Sequence, residues 1–128
     1  MDDRDRLALH ELPGRYGDFI DARDWPGLAN IFTDDAQFVV NGTVLNGLSE
    51  IQAYMAASKG HPLTHLMTNI YVDETSEGVV LHSRLIAMHP NGSMSSGRYR
   101  DTAVKEPEGW RVRSRSFTST PRGADAPW

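Results

Sequence analysis

Asp21 and His65, forty-odd residues apart, are a carboxylate and an imidazole of the kinds that together can move a proton. An imidazole titrates close to neutral pH, so His65 can serve as a general base. A carboxylate touching it would fix its tautomer and stabilise the imidazolium formed after proton abstraction. The pair exists only if folding brings the two together. Asp21 closes an amphipathic helical stretch in which Leu9, Leu12, Tyr16, Phe19 and Ile20 recur at helical spacing. His65 lies in a strand-like run where simple alternation places Leu63, His65, Met67, Asn69 and Tyr71 on one face and Leu66, Ile70 and Val72 on the other. A face that is part apolar and part hydrogen-bonding suits the wall of a ligand site. The plain structural alternative is open at this point: a strand histidine is commonly a satisfied core or surface residue, and an aspartate at a helix end is commonly solvated.

The elements that must position these groups can be read in order. Pro13-Gly14 predicts that the first helix either starts near Leu12 or kinks there, and it ends near Arg23. A second short helix follows, with Asp24 as cap, Pro26 in its first turn and Leu28, Ile31 and Phe32 as its stripe. Ala36 to Val40 reads as a strand, Asn41-Gly42 as a tight turn and Thr43 to Leu45 as the return strand. Ser49 to Ala56 reads as a third helix, capped by Ser49 and stopped by Gly60. Four longer strands complete the chain at Leu63 to Asp73, Val79 to His89, Ser93 to Val104 and Trp110 to Ser119. Their short connections force antiparallel neighbours, so the class is α+β, one domain over residues 1–120. Residues 121–128 read as a flexible tail on which Trp128 is the one large apolar group able to dock.

Bulk properties narrow the field. The 128 residues are 39% apolar and 23% charged, and no apolar run nears the length of a membrane helix. The charged start, Met1 to Arg6, has no apolar segment behind it and does not read as a secretory signal. The absence of cysteine fits a reducing, cytoplasmic setting. A formal charge of -4 argues against nucleic acid, although nine of the seventeen acidic residues fall in the first 35 positions and arginines gather toward the C-terminus. His61 and His65 are four apart, which on a strand separates them by roughly 13 Å, so metal binding is not expected. No phosphate-binding glycine loop, nucleophile elbow or dinucleotide fingerprint is present, which leaves cofactor-free chemistry.

Several motifs in order, Arg15-Tyr16, Asp21, Asp24-Trp25, Leu28 to Phe32, Thr33 to Ala36, Gly97 to Asp101 and Gly109 to Arg115, give the chain its family likeness. From about Leu7 to Thr118 it resembles the SnoaL-like branch of the NTF2-like superfamily. The resemblance implies an NTF2-like cone, with three N-terminal helices packed on a strongly curved, mostly antiparallel sheet and a pocket between them. It implies Asp21 and His65 as a catalytic pair and Tyr16 as a donor that polarises a substrate carbonyl, against the alternative of a core tyrosine. It places Arg115 where some relatives carry a pocket arginine, although Arg111 and Arg113 share its face in a regular strand and argue for exposure. Asn69, Tyr99, Asp101, Met67 and Phe19 complete the expected lining. Asp101, turned inward, must be paired, protonated or wet, and an arginine partner is the favoured outcome. The implied activity is a cofactor-independent lyase or isomerase, dehydratase- or cyclase-like, acting on a small apolar carbonyl-bearing ring such as a polyketide or steroid-like metabolite. The alternatives are a non-catalytic binding or dimerisation module and the small subunit of a ring-hydroxylating dioxygenase. The family likeness also implies pairing through the outer sheet face, as a homodimer or a trimer.

Overall fold

A computed structural model describes residues 1–121. Helix α1 (Asp3–Asp21) leads through a 3-10 turn (Pro26–Asn30) into strand β1 (Phe32–Val40) and its return β2 (Thr43–Asn46). Helix α2 (Leu48–Ala57) then precedes a meander of β3 (Thr64–Thr75), β4 (Gly78–Met88), β5 (Met94–Glu106) and β6 (Gly109–Ser119). The six strands form one sheet in the order β2-β1-β6-β5-β4-β3. All neighbours are antiparallel except β1 and β6, which run parallel. The result is the expected α+β, NTF2-like arrangement with a curved sheet. The expected tail and Trp128 fall almost wholly outside the described residues.

Two expectations about helices need correction. There are two α-helices rather than three N-terminal ones, and α2 follows the first hairpin. The segment after Trp25 is too short between Pro26 and the start of β1 to close α-helical turns, so it remains a 3-10 turn with the Asp24 carboxylate accepting from Gly27 N–H at 3.0 Å. Helix α1 also starts at Asp3, well before Leu12, and continues through Pro13. Asp2 caps it by accepting from Asp5 N–H at 2.8 Å, and Leu9, Leu12, Tyr16 and Ile20 form a continuous buried stripe across the proline. Packing of that stripe onto the sheet outweighs the roughly 3 kcal/mol that an interior proline costs. Helix α2 starts at Leu48 with Gly47, not Ser49, at its cap, and it ends at Ala57, ahead of Gly60. Gly47 takes a φ of 89° and donates its N–H to Ala36 O at 2.7 Å, a turn conformation that favours glycine.

Three register shifts bend the strands: in β1 between Phe32 and Gln37, in β3 between Thr68 and Tyr71, and between β5 and β6 at Thr102 and Ala103. Bulges increase local twist and curve a sheet around whatever packs on its inner face. Here that is α1, whose N-terminal end is tied to the β5–β6 hairpin by Asp5. Its carboxylate accepts from Trp110 Nε1 at 2.9 Å and meets Lys105 Nζ at 2.9 Å. No described helix is long and apolar enough to cross a membrane.

Candidate active site

Asp21 is the last residue of α1, and the chain beyond it turns sharply. Asp24 N–H donates to Phe19 O and Arg23 N–H to Ile20 O, with Arg23 at a φ of 57°. This closing loop would normally hold a glycine at the left-handed position. Arg23 takes it instead and donates from Nη1 to Ile20 O at 2.7 Å, placing a cation where the helix carbonyls are exposed. The turn fixes Asp21 against the start of β3. One carboxylate oxygen, Oδ2, accepts the His65 backbone N–H at 3.0 Å, and the other, Oδ1, lies 2.6 Å from His65 Nδ1.

Burial lowers the pKa of His65, and this outweighs the opposing pull of Asp21; the nearby His61 and Arg23 push the same way as burial. The imidazole is therefore neutral at neutral pH, its Nδ1–H donates to Asp21, and Nε2 keeps a free lone pair. Among the described residues Nε2 has no hydrogen-bond partner. His65, its side chain only 6% exposed, borders an open groove of about 470 Å³ between α1 and the edge strand β3, whose lining includes the apolar Met67 and Ile70 and the polar His10, Arg15 and Asp18.

Gly17 makes this contact possible. A Cβ at that position would come within 3.1 Å of His65 Cβ, so a larger residue there would push α1 and the start of β3 apart by a few tenths of an ångström. The sequence offered a signal, an isolated glycine inside a helical pattern.

On the interior side of His65 the Tyr16 ring stands edge-on, its centroid 6.3 Å away. Tyr16 is only 2% exposed, and burial raises its pKa although Arg115 opposes the shift, so the phenol stays protonated. Tyr16 and Tyr99 flank the Arg115 guanidinium at 4.3 and 4.2 Å, and Phe32 and Phe38 lie at 5.8 Å. Arg115 donates through Nε and Nη2 to the two oxygens of Asp101 at 2.7 and 2.9 Å, with both side chains fully buried. Burial disfavours the charged guanidinium, but the Asp101 charge and hydrogen bonds outweigh it and raise the Arg115 pKa. Nη1 of Arg115 and Oγ of Ser83 have no partner among the described residues.

The structure thus gathers Asp21, His65, Tyr16 and Met67 at the α1–β3 seam, and Tyr99, Asp101 and Arg115 behind them. Asp101 has the arginine partner favoured from sequence. Arg111 and Arg113 do not share the Arg115 face, because the β5–β6 shift pairs Val112 with Ala103 and Ser114 with Thr102, leaving Arg113 exposed. Of the expected lining only Met67 borders the groove: Tyr99, Asp101 and Arg115 pack on one another in the interior, and Asn69 and Phe19 lie elsewhere. Asn69 sits at the β3 bulge with a φ of 51° and is exposed, so it leaves the His65 face, and Tyr71 follows it outward while Ile70 and Val72 turn in. Phe19 packs over Gly27, whose added Cβ would lie 2.5 Å from the ring, and so faces the 3-10 turn rather than the groove.

A family model described as a SnoaL-like domain matches residues 3–116. The chain belongs to the SnoaL-like family, and its fold is NTF2-like. Solved structures agree on the fold. A cystatin-like-fold protein of unknown function from Nostoc punctiforme is 17% identical at a TM-score of 0.84, with 94% of this chain and 95% of that one covered. A Kribbella flavida protein is 25% identical at 0.80, with 95% of each chain covered. A Novosphingobium aromaticivorans protein assigned provisionally as a scytalone dehydratase is 20% identical at 0.77, covering 94% of this SnoaL-like chain and 89% of its own. No curated protein matches the chain.

Proposed function

We propose that this SnoaL-like protein is a cofactor-independent lyase or isomerase in which His65 acts as general base on a small carbonyl-bearing ring compound, polyketide- or steroid-like. The observation that carries the reading is the 2.6 Å contact of Asp21 Oδ1 with His65 Nδ1, which leaves Nε2 of a neutral imidazole without a hydrogen-bond partner among the described residues, on a side chain that borders the groove and is itself largely buried. Nε2 takes a proton from the carbon beside the carbonyl, forming an imidazolium and an enolate. Asp21 stabilises the imidazolium and holds the ring in place. The proton then leaves with a β-hydroxyl as water, giving dehydration, or returns at another carbon, giving isomerisation. Attack of the enolate on a second carbonyl gives cyclisation. Met67 and Ile70 would seat the apolar ring, and Tyr16, kept protonated by burial and standing behind His65 rather than in the groove lining, would be the oxyanion donor to a ring that reaches past His65 toward the interior.

One observation favours a second reading, a non-catalytic ligand-binding or dimerisation module. The rings of Tyr16, Phe32, Phe38 and Tyr99 close around Arg115, so the interior holds side chains where a substrate would enter deeply. The two readings separate in a deuterium-exchange assay followed by NMR, using hydroxy-ketones in D2O with His65→Ala and Asp21→Asn beside the parent. The enzyme reading expects α-proton exchange above the buffer rate, reduced by about 100-fold or more in His65→Ala, as for loss of a general base. Equal exchange by parent and His65→Ala would remove His65 as the base. Ligand-induced shifts of the His65 resonances without exchange would favour the module.

A further inference from the structure

On the outer face of the sheet, away from His65, two arginines stand directly opposite one another. Arg84 of β4 is the register partner of Arg98 of β5, and the same row continues to Thr68 on β3 and Thr118 on β6. Like charges facing each other across strands repel. Neither arginine forms an ion pair among the described residues, although Arg100 and His82 of the same two strands are matched, with Glu77 and Asp73. Both arginines line a concavity of about 670 Å³, the rest of which includes Thr68, Ser96, Thr118 and Thr120. The two guanidinium groups are donors only, and hydroxyls beside them add further donors. Two cations without an ion-pair partner among the described residues, with hydroxyls around a hollow, form a local concentration of positive charge in a chain of net charge -4.

We propose that this concavity binds a small phosphate-bearing molecule, with Arg84 and Arg98 each donating to phosphate oxygens. Guanidinium forks match the geometry of such oxyanions, and a dianion between the two arginines replaces their repulsion with two attractions. The site is independent of the proposed chemistry at His65, which lies on the opposite face of β3 from Thr68.

The test uses inorganic phosphate and glycerol phosphate as probes, with chloride at matched ionic strength as control, read by calorimetry and thermal unfolding of the full chain. Phosphate raises the unfolding temperature beyond the chloride control. Arg84→Gln or Arg98→Gln weakens phosphate binding by roughly tenfold or more, the loss of one charge-assisted hydrogen-bonding group. The same single substitution leaves the ligand-free protein as stable as the parent or more so, because a repulsion is removed. This separates loss of a site from loss of folding. Tighter binding of glycerol phosphate than of inorganic phosphate indicates an esterified ligand, and the reverse indicates free phosphate. The proposal is overturned if phosphate and chloride act alike, or if parent and variants respond equally to phosphate. It is also overturned if the substitutions change the molecular mass in solution without altering any phosphate response, which would assign the arginines to contact between copies of the chain.

Discussion

Replacing Asp101 with Asn should unfold this protein far more readily than its conservative shape suggests. The change keeps an oxygen able to accept from Arg115 Nε but deletes the charge facing a guanidinium that is fully buried and already leaves Nη1 without a partner. Two opposite unit charges about 4 Å apart attract by roughly 4 kcal/mol at an effective dielectric of about 20. Removing one partner of a buried pair typically costs about 3–5 kcal/mol, because the other is left uncompensated. Asn recovers part of one hydrogen bond, so about 3–4 kcal/mol is expected, against a total stability of about 5–15 kcal/mol for an ordinary domain. Cation–π contacts with Tyr16 and Tyr99 soften the loss but do not replace the anion. The companion double variant, Asp101→Leu with Arg115→Met, removes both charges together and should fall within about 1–2 kcal/mol of the parent, since apolar isosteres of buried pairs are often neutral or stabilising. Urea unfolding with linear extrapolation measures both, provided the slope is unchanged. If Asp101→Asn costs less than about 1 kcal/mol, the guanidinium is better solvated or better held than its burial implies, and the pairing argument fails. A double variant as unstable as the single one would show that packing around Arg115, and not charge compensation, is what matters.

Protonation of His65 should make stability fall in acid. Its folded pKa lies below the ordinary value of 6.5, so the unfolded chain binds this proton first. The contribution is complete above about pH 6.5 and is lost as pH falls toward the folded pKa, at up to about 1.4 kcal/mol per pH unit. His65→Asn should flatten that part of the stability profile, and an unchanged profile would contradict a buried neutral imidazole. Two glycines of α1 should answer differently to alanine. Gly14 has nothing within 4 Å of its added Cβ, so Gly14→Ala should stabilise by up to about 1 kcal/mol through helix propensity. At Gly17 the same gain is offset by the 3.1 Å approach to His65 Cβ, so NMR titration should show an altered His65 pKa with little net change in stability. Identical behaviour of the two variants would mean that α1 is not held against β3 as described.

Why some of the site was legible and some was not comes down to where the bulges fall. Strand alternation assigns faces correctly only as far as the register is unbroken, and one extra residue moves everything beyond it to the other side. His65 and Met67 precede the β3 bulge and lie on the inner face, whereas Asn69 sits in the bulge and Tyr71 beyond it is exposed. Nothing in Thr68-Asn69-Ile70 announces a bulge except that asparagine tolerates a left-handed conformation better than most residues. The β5–β6 shift likewise separates Arg115 from Arg111 and Arg113, which a regular strand would have grouped. A run of three alternating arginines thus conceals a fully buried ion pair. The helical errors have a different origin. Pro13 looked like a boundary because local propensity was weighed without the sheet that α1 packs against, and the Pro26–Asn30 segment has an apolar stripe but too few residues to be more than a 3-10 turn. Local pattern could place each member of the pair, Asp21 at the end of a helix and His65 at the beginning of a strand, and the family resemblance implied that they meet. There the position of each group depends on a cap and a few residues of unbroken alternation, and no longer-range register intervenes between Asp21 and His65.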